Sequence, residues 1–257
     1  MEYIKLENIA KTYGSGEGKA TALQGISLSI QTGEFVAIMG ESGSGKSTLL
    51  SVLGVLNTPS GGSYQVNGVE VYSLKGEQQA DFRRETLGFV FQSFHLIPYL
   101  SVVENVMLPL TTKRLKEKVK REMADQALAR VGLASKGHRL PNQISGGEQE
   151  RVAIARAVVN RPPILLADEP TGNLDTRTGR EIMRLLQELN GEGMTIIMVT
   201  HSTEWARYTH RILHISDGLL EGEETNYAPL ELAAAEFSKP EFSAGRRAVS
   251  GRLLAVL

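Results

Sequence analysis

With 257 residues, the chain is long enough to bury a substantial core as one large domain or two small ones. Its formal net charge is −1 and its isoelectric point is near 6.5, so its composition gives no electrostatic reason to expect nucleic-acid binding. The absence of cysteine excludes disulfide frameworks and thiolate metal sites.

Export and membrane signals are not found in the sequence either. No apolar stretch approaches the roughly 20 residues that cross a bilayer. Residues 1–6 lack the cationic segment and apolar run of a secretory signal. We therefore expect a cytoplasmic protein that reaches a membrane only through a partner.

The first part of the chain contains several predicted strands. Residues 3–9 and 26–30 alternate apolar and polar side chains, and residues 34–39 form a short apolar run typical of a buried strand. Residues 63–71 are typical of a hairpin that turns at Asn67-Gly68. The pattern predicts antiparallel strands interleaved with a strand–helix unit.

A glycine-rich turn connects that strand and helix. Residues 40–47, Gly-Glu-Ser-Gly-Ser-Gly-Lys-Ser, match the phosphate-binding loop G-x-x-x-x-G-K-[ST], and residues 48–53 indicate the opening of a helix. The glycines allow a tight turn whose N–H groups point at one anion. Lys46 adds a positive charge for the terminal phosphates, and the Ser47 hydroxyl can ligate Mg²⁺. The alternative, a Gly/Ser-rich surface turn, explains the flanking strand and helix less well.

The middle of the chain is predicted to be largely helical. Residues 88–91 form a short apolar strand that ends at Gln92, residues 102–131 are mostly helical in character, and a further helix begins near Ser145. The mixed charges of residues 113–122 are typical of a solvated helix face, with a dedicated anion site as the alternative.

Strands and helices alternate in the last part of the chain. Residues 164–167 and 195–200 are typical of buried strands, residues 178–189 and 203–208 predict helices, and residues 211–215 predict a further strand. This order predicts an α/β fold whose mainly parallel sheet is covered on both faces. The absence of an internal repeat indicates a single unit.

The strand at residues 164–167 ends in Asp168-Glu169. A carboxylate at the carboxyl end of a buried strand lies where ligands bind in such sheets. Asp168 is suited to hold Mg²⁺ through water, and Glu169 to polarise an attacking water. A strand that ends in Asp-Glu is weak evidence alone, but it becomes strong downstream of a phosphate loop.

Residues 144–149, Ile-Ser-Gly-Gly-Glu-Gln, resemble the L-S-G-G-Q signature of the ATP-binding subunits of ABC transporters. Ile144 replaces Leu, and Glu148 stands where Gln is frequent. The resemblance covers about residues 3–222. It implies an α/β P-loop NTPase (RecA-like) fold with a mainly parallel sheet, an antiparallel β subdomain and an α-helical signature subdomain.

The resemblance also implies roles for single residues. Gln92 matches the Q-loop glutamine that senses Mg²⁺ and the attacking water, Asp175 matches the D-loop contact between subunits, and His201 matches the switch histidine that contacts the γ-phosphate. Tyr13 matches the aromatic residue that stacks on adenine, with half-buried packing as its alternative. The implied catalytic residues are Glu169, His201, Gln92 and Lys46, and the implied Mg²⁺ ligands are Ser47, Gln92 and Asp168.

The residues expected to contact nucleotide lie in the phosphate loop, Q-loop, signature and D-loop. They are Tyr13, Gly40, Ser42, Gly43, Ser44, Gly45, Lys46, Ser47, Thr48, Gln92, Ser145, Gly146, Gly147 and Asp175. In the family, the signature of one subunit completes the ATP site of the other. The implied assembly is a head-to-tail homodimer that ATP closes and hydrolysis releases.

Within the family, residues 89–98, 104–110 and 167–175 are similar to the lipoprotein-releasing, macrolide-exporter and cell-division ATPase group. That resemblance implies integral-membrane permease partners with extracytoplasmic domains and a location on the cytoplasmic face of the inner membrane. It leaves open a periplasmic adaptor and an outer-membrane channel. Residues 94–99 are a candidate groove for a coupling helix, with core packing as the alternative. The alternative functions are a soluble ABC ATPase and an ATP-dependent regulatory scaffold.

We expect a single ATPase domain over residues 1–222, with a helical subdomain at about residues 95–157. Residues 223–257 lie outside the resemblance and are rich in Ala, with three arginines near their end among apolar residues. They are expected to form an extra docked helix, a partner-binding segment or a disordered tail. A membrane-surface helix is the least favoured alternative, because the basic residues are few.

Overall fold

The computed structural model describes residues 2–232. Its strands are β1 Glu2–Tyr13, β2 Ala20–Gln31, β3 Phe35–Met39, β4 Gly61–Val66, β5 Val69–Glu70, β6 Leu87–Val90, β7 Ile164–Asp168, β8 Thr195–Val199, β9 Arg211–Ser216 and β10 Leu219–Thr225. Its α-helices are α1 Lys46–Leu53, α2 Gly76–Thr86, α3 Val102–Met107, α4 Glu117–Arg130, α5 Gly146–Val158, α6 Thr176–Gly191 and α7 Thr203–Ala206. Most of the predicted C-terminal extension, from residue 233 onward, lies outside the described residues.

The central sheet has six strands in the order β10-β9-β3-β8-β7-β6. The strands from β9 to β6 pair in parallel, and β10 pairs antiparallel with β9 at the edge. Every residue of β3 and β8 is buried, as short apolar strands covered on both faces require. The predicted α/β fold with a mainly parallel sheet is confirmed.

A second sheet consists of four antiparallel strands in the order β2-β1-β4-β5. Its hairpin from β4 to β5 turns at Asn67 and Gly68, whose φ angles are 49° and 79°. Two successive positive φ angles are typical of the hairpin turn that matches the natural twist of the strands. The predicted hairpin and its turn residues are therefore confirmed.

Strand β3 separates two hydrophobic clusters, because successive side chains of a strand point to opposite faces. Phe35, Ala37 and Met39 belong to the cluster that includes helices α3 to α6. Val36 and Ile38 belong to the cluster that includes α1 and the antiparallel sheet. Because both faces of the sheet are covered, the loops that follow the strands lie at its carboxyl edge, which remains accessible.

The region of residues 102–131 is divided into two helices. Helix α3 ends at Met107, and Leu108–Leu110 form a 3₁₀ turn around Pro109. Proline has no N–H group with which to continue the helix. Because α4 begins only at Glu117, the start of the mixed-charge run lies in a loop, and the prediction of a helix face was wrong for residues 113–116.

Helix α2 and strand β10 are elements that the sequence pattern did not indicate. Helix α2 is mostly polar and buries only Phe82 and Thr86, so it lacks a continuous apolar stripe. The residues of β10 are nearly all exposed, and without a buried face they show no alternation. Both elements are stabilised by contacts with neighbouring elements, and these contacts cannot be recognised from the local sequence.

The domain boundary predicted at residue 222 falls inside β10. Beyond that strand, Asn226 N donates to His210 O at 2.8 Å and Leu230 N donates to Arg207 O at 3.0 Å. The chain is thus bound to the domain by backbone hydrogen bonds for several residues past the predicted boundary.

Helix α5 buries a carboxyl group. The side chain of Glu150 is 1 % exposed, and its Oε1 atom has no hydrogen-bond partner among the described residues. Burial raises the pKa of Glu150 to about 8, against an opposing attraction from Arg156. Glu150 is therefore protonated and neutral in the folded protein at neutral pH.

Glu150→Gln is expected to change how stability depends on pH. In the unfolded wild-type chain, Glu150 ionises well below pH 8, whereas in the folded protein it stays protonated up to about pH 8. Its contribution to the free energy of unfolding therefore falls as the pH rises towards about 8. Glutamine does not titrate, so the variant gains stability over the wild type by up to about 1.4 kcal/mol per pH unit in that window. Urea unfolding between pH 5 and pH 8.5 measures the difference, with exposed Glu122→Gln as control. A difference that does not vary with pH would contradict the buried neutral carboxyl.

Candidate nucleotide-binding site

The glycine-rich loop connects β3 to α1 at the carboxyl edge of the central sheet. Gly40 and Gly45 have φ angles of 154° and 105°. A Cβ atom at Gly40 would lie 2.0 Å from Ile215 O, and one at Gly45 would lie 2.5 Å from Ala22 O. The loop therefore packs so closely on neighbouring backbone that only glycine is accommodated at these two positions.

Lys46 lies at the start of α1 and folds back over the loop. Its side chain is buried, and Nζ donates to Gly40 O at 2.9 Å and to Glu41 O at 2.6 Å. The N-terminus of α1 and this ammonium group concentrate positive charge at one place. The arrangement suits an anion with several phosphate groups.

Asp168 ends β7 beside the start of α1. Its Oδ1 atom lies 3.5 Å from Ser47 Oγ. Burial, followed by the neighbouring Glu169 carboxylate, raises the pKa of Asp168 above its ordinary value, while Ser47 and Lys46 act in the opposite direction. A partly buried carboxylate beside a hydroxyl group is a suitable pair of oxygen ligands for a small divalent cation.

Glu169 and His201 follow the adjacent strands β7 and β8. Glu169 N donates to Val199 O at 3.0 Å, and the φ angle of Glu169 is 49°, which turns the chain sharply at this point. His201 Nδ1 lies 3.0 Å from Glu169 Oε1. The Glu169 side chain is 12 % exposed and the His201 side chain 69 %, so a largely buried carboxylate contacts a largely exposed imidazole.

Gln92 and Tyr13 lie at the ends of their strands. Gln92 follows β6 and is exposed, and its carbonyl oxygen accepts a hydrogen bond from Asn173 Nδ2 at 3.1 Å. Tyr13 ends β1 and is 41 % exposed, and its hydroxyl accepts from Asn57 Nδ2 at 2.6 Å. Lys11 Nζ lies 5.0 Å from the centre of the Tyr13 ring.

Ser145 caps the N-terminus of α5. Its hydroxyl accepts from Glu148 N at 3.3 Å, and Glu148 Oε2 accepts from Ser145 N at 2.9 Å. These reciprocal bonds form a capping box. The hydrogen bond from Ser145 N is the first cause that holds the pKa of Glu148 below its ordinary value, and Lys136 adds to it. The departure from the family signature at Glu148 thus has a structural role at the helix end.

Asp175 caps α6 beside the start of α5. Its Oδ1 accepts from Arg177 N and Thr178 N, both at 3.0 Å, and its Oδ2 accepts from Thr178 Oγ1 at 2.6 Å. The Thr178 hydroxyl is the main cause that lowers the pKa of Asp175. At the crossing of the two helices, a Cβ atom on Gly147 would lie 2.2 Å from Thr178 Cγ2.

The predicted site residues fall into two groups in the structure. The glycine-rich loop, Asp168, Glu169 and His201 meet at the carboxyl edge of the central sheet. Ser145, Gly147 and Asp175 line an open cavity of about 490 Å³ between the N-termini of α5 and α6. No residue of the glycine-rich loop lines that cavity in the described part of the chain. One chain therefore carries two surfaces that differ in chemistry.

The sequence did not predict a structural role for two side chains near this site. Asn105 is fully buried and binds the backbone of residues 97–101 through four hydrogen bonds. Arg156 donates to the carbonyl oxygens of Phe94 and His95 at 2.7 and 2.6 Å. In the sequence, the signal was a polar or charged residue at a position where the helical period requires an apolar one.

Comparison with known proteins identifies the family. The family model described as "ABC transporter" matches residues 23–172, which include the glycine-rich loop, the signature and the Asp168-Glu169 pair. The chain belongs to the ABC transporter family. It is an ATP-binding and ATP-hydrolysing domain of that family, as the sequence motifs predicted.

Among curated proteins, the chain is similar to an uncharacterised ABC transporter ATP-binding protein, MJ1508, of Methanocaldococcus jannaschii. The two are 47 % identical over 215 residues, which cover 84 % of this chain and 96 % of the relative. This chain is also 47 % identical, over 253 residues, to the macrolide export ATP-binding/permease protein MacB of Syntrophobacter fumaroxidans. That match covers 96 % of this chain but 35 % of the relative, so the chain spans about a third of the MacB length.

Among solved structures, the chain is similar to dimers of the ATP-binding cassette MJ0796. One is a dimeric post-hydrolysis state bound to ADP and Pi, which matches with a TM-score of 0.81 and 44 % sequence identity. The match covers 88 % of this chain and 99 % of the MJ0796 chain. Another dimeric structure of MJ0796 has a TM-score of 0.82 and 46 % identity with the same coverage. The predicted P-loop NTPase fold with its two subdomains is confirmed.

Gly147→Ala is expected to destabilise the junction of α5 and α6, because its methyl group would overlap the Thr178 methyl group. Overpacking of this kind costs about 1–3 kcal/mol of unfolding free energy. Thr178→Ser removes that methyl group and keeps a hydroxyl for Asp175, so the double variant is expected to recover most of the loss. Thermal and urea unfolding measure the effect.

Gly146→Ala is the matched control for this test, because a Cβ atom at Gly146 would contact nothing within 4 Å. Its unfolding free energy is expected to stay within about 0.5 kcal/mol of the wild type. Equal destabilisation by both alanine variants, or no recovery with Thr178→Ser, would contradict the close contact.

Proposed function

We propose that the chain is the ATPase subunit of a membrane complex in which two copies bind ATP head to tail and drive a conformational change in a permease. The observation that carries this proposal is the separation of the phosphate-loop surface from the signature cavity on one chain. Each surface has half of the groups that an ATP site of this family uses. A second copy, turned head to tail, brings the missing half to each site, and the dimeric MJ0796 relatives support this arrangement.

In the proposed dimer, Lys46 and the N-terminus of α1 bind the β- and γ-phosphates, together with Gly40, Ser42, Gly43, Ser44, Gly45, Ser47 and Thr48. The signature residues Ser145, Gly146 and Gly147 of the opposite copy bind the γ-phosphate from its other side. Asp175 lies beside the signature and contacts the partner copy. Tyr13 stacks on adenine, and its hydrogen bond from Asn57 supports this role by restraining the ring.

Mg²⁺ is the proposed metal, and the residues present suit it. Among residues 2–232, no group of three or more His, Cys, Asp or Glu side chains could enclose a metal ion. Mg²⁺ is usually bound through only one or two carboxylates and completes its shell with water and substrate phosphates. Asp168 offers such a carboxylate beside the Ser47 hydroxyl, and we assign Gln92 as a third ligand that also senses the attacking water.

In the proposed reaction, Glu169 accepts a proton from a water that attacks the γ-phosphorus as the bond to the β–γ bridging oxygen breaks, releasing ADP and phosphate. His201 lies 3.0 Å from the Glu169 carboxylate and orients it, and the imidazole contacts the γ-phosphate. Lys46 stabilises the negative charge of the transferred group. Gln92 completes the catalytic set.

The proposed partner is an integral-membrane permease with extracytoplasmic domains. The MacB relatives, named as macrolide export ATP-binding/permease proteins, support it because the permease there shares a chain with the segment similar to this one. Within residues 2–232, no helix has the length and hydropathy to cross a membrane. By analogy with the MacB relatives, we propose a peripheral location on the cytoplasmic face of the inner membrane, with a periplasmic adaptor and an outer-membrane channel as further components.

Residues 94–99 are the proposed contact with the permease. They follow the Q-loop, and Tyr99 is 78 % exposed although it is large and aromatic. Aromatic side chains are enriched at protein–protein interfaces relative to the rest of the protein surface. We propose a single ATPase domain that comprises the predicted residues 1–222 and the rest of β10 to Thr225, with a helical subdomain at about residues 95–157. The remainder of the predicted extension at 223–257 follows this domain.

Glu169→Gln is expected to keep ATP binding, to accumulate an ATP-bound dimer and to lower the rate of hydrolysis by at least about 100-fold. The amide keeps the size of the side chain but cannot accept a proton from water. Size-exclusion chromatography with and without MgATP measures the dimer, and phosphate release measures turnover. Lys46→Ala is the control that should lose nucleotide binding and therefore form no dimer. Wild-type turnover in Glu169→Gln would contradict Glu169 as the base.

The membrane partner is tested by affinity purification of the tagged chain from detergent-solubilised membranes, followed by mass spectrometry. A stoichiometric integral-membrane protein is the expected result, and its disappearance on Tyr99→Asp would support the proposed contact. A pool of the chain without any membrane protein would overturn the transport function. It would leave the ATPase chemistry intact and support a soluble ABC ATPase or a regulatory scaffold instead.

A further inference from the structure

The segment that follows Gln92 connects the central sheet to α3, and side chains from elsewhere hold its backbone. Asn173 Nδ2 donates to Gln92 O at 3.1 Å. Further along, Asn105 binds the backbone of residues 97–101. The carbonyl groups between these two anchors accept hydrogen bonds from Arg156. The position of Gln92 therefore depends on three side chains outside the segment.

The part held by Arg156 has an unusual backbone. Phe94 and His95 have φ angles of 59° and 47°, in the left-handed region that few residues other than glycine adopt. This conformation is strained, because the Cβ atom comes too close to the following carbonyl oxygen. A conformation of this kind persists only where surrounding contacts impose it.

Arg156 supplies those contacts from α5. Its Nη1 atom donates to His95 O at 2.6 Å and its Nη2 atom to Phe94 O at 2.7 Å. Two parallel bonds from one planar guanidinium group define both position and orientation, which a lysine ammonium group cannot do. The residues on both sides of Arg156, from Val152 to Val158, are otherwise apolar and buried, so the charge is placed there at the cost of desolvation.

Helix α5 joins this contact to the signature. Ser145 caps the helix and Arg156 lies eleven positions further along, a distance of roughly 16 Å at the rise of an α-helix. A single rigid helix thus contacts the signature cavity at one end and the backbone beside Gln92 at the other.

We propose, on the premise of the function proposed above, that Arg156 is a positioning residue for hydrolysis, which holds Gln92 in its working place from the signature helix. In the head-to-tail dimer, α5 then links the ATP bound against its own signature to the Gln92 of the other ATP site. A displacement of α5 is passed to Gln92 through the two carbonyl groups.

The first test compares Arg156→Lys with the wild type in the full chain. Lysine keeps the positive charge but not the two parallel hydrogen bonds, so kcat for ATP is expected to fall about tenfold, because small misplacements of catalytic groups are costly. KM for ATP and the unfolding midpoint are expected to stay near wild-type values. Amide hydrogen exchange of residues 93–100 is expected to accelerate while the other peptides remain protected.

The second test is a double-mutant cycle that separates this inference from the proposed function. If Arg156 acts through Gln92, Arg156→Lys lowers kcat little further in a Gln92→Ala background, whereas independent residues give additive losses. Additive losses would overturn the inference and leave the function standing. Wild-type kcat in Gln92→Ala alone would instead remove the role proposed for Gln92.

Arg139→Lys is the matched control, because Arg139 is exposed on the loop before α5 and lies outside both surfaces of the proposed ATP sites. It is expected to leave kcat and local exchange unchanged. Arg156→Gln extends the series, and a kcat below that of Arg156→Lys is expected because the charge is lost as well. Wild-type kcat and exchange in both Arg156 variants would overturn the positioning role.

Discussion

The structure depends on the parallel register of β3, β7 and β8. Ile38 pairs with Val199, and Val199 pairs with Asp168, so the three strands end at the same level of the sheet. The loops that follow them therefore meet at one edge. This register brings the phosphate loop, the Asp168-Glu169 pair and His201 together, although more than 150 residues separate the first from the last.

A second constraint acts where α5 meets α6. The two helices approach so closely that no side chain is accommodated at Gly147, and both begin with a capping residue that the family motifs include. Gly147 is thus required by the packing of the two helices. Ser145 and Asp175 each accept hydrogen bonds from the amide groups of their own helix end. The cavity that both residues line is therefore already ordered in the single chain.

Helix α5 combines stability with function in one element. It buries Glu150 in a neutral form and carries the half-buried, charged Arg156 among buried apolar neighbours. Buried charged groups are costly to stability, and an apolar helix face would pack as well. The hydrogen bonds of Arg156 to a strained loop explain why a charge stands there, since they give the loop after Gln92 one defined conformation.

The sequence alone determined the family, the alternation of strands and helices in the central sheet, and the candidate residues for ATP hydrolysis, because the glycine spacing, the Lys-Ser pair and the Asp-Glu pair are local patterns. It also determined the hairpin at Asn67-Gly68, whose turn depends only on these two residues. Helix α2, β10 and the role of Arg156 were decided by tertiary structure. Each of them depends on which distant groups lie opposite, such as the carbonyl oxygens of Phe94 and His95 against α5, and a local pattern of residues does not contain that information.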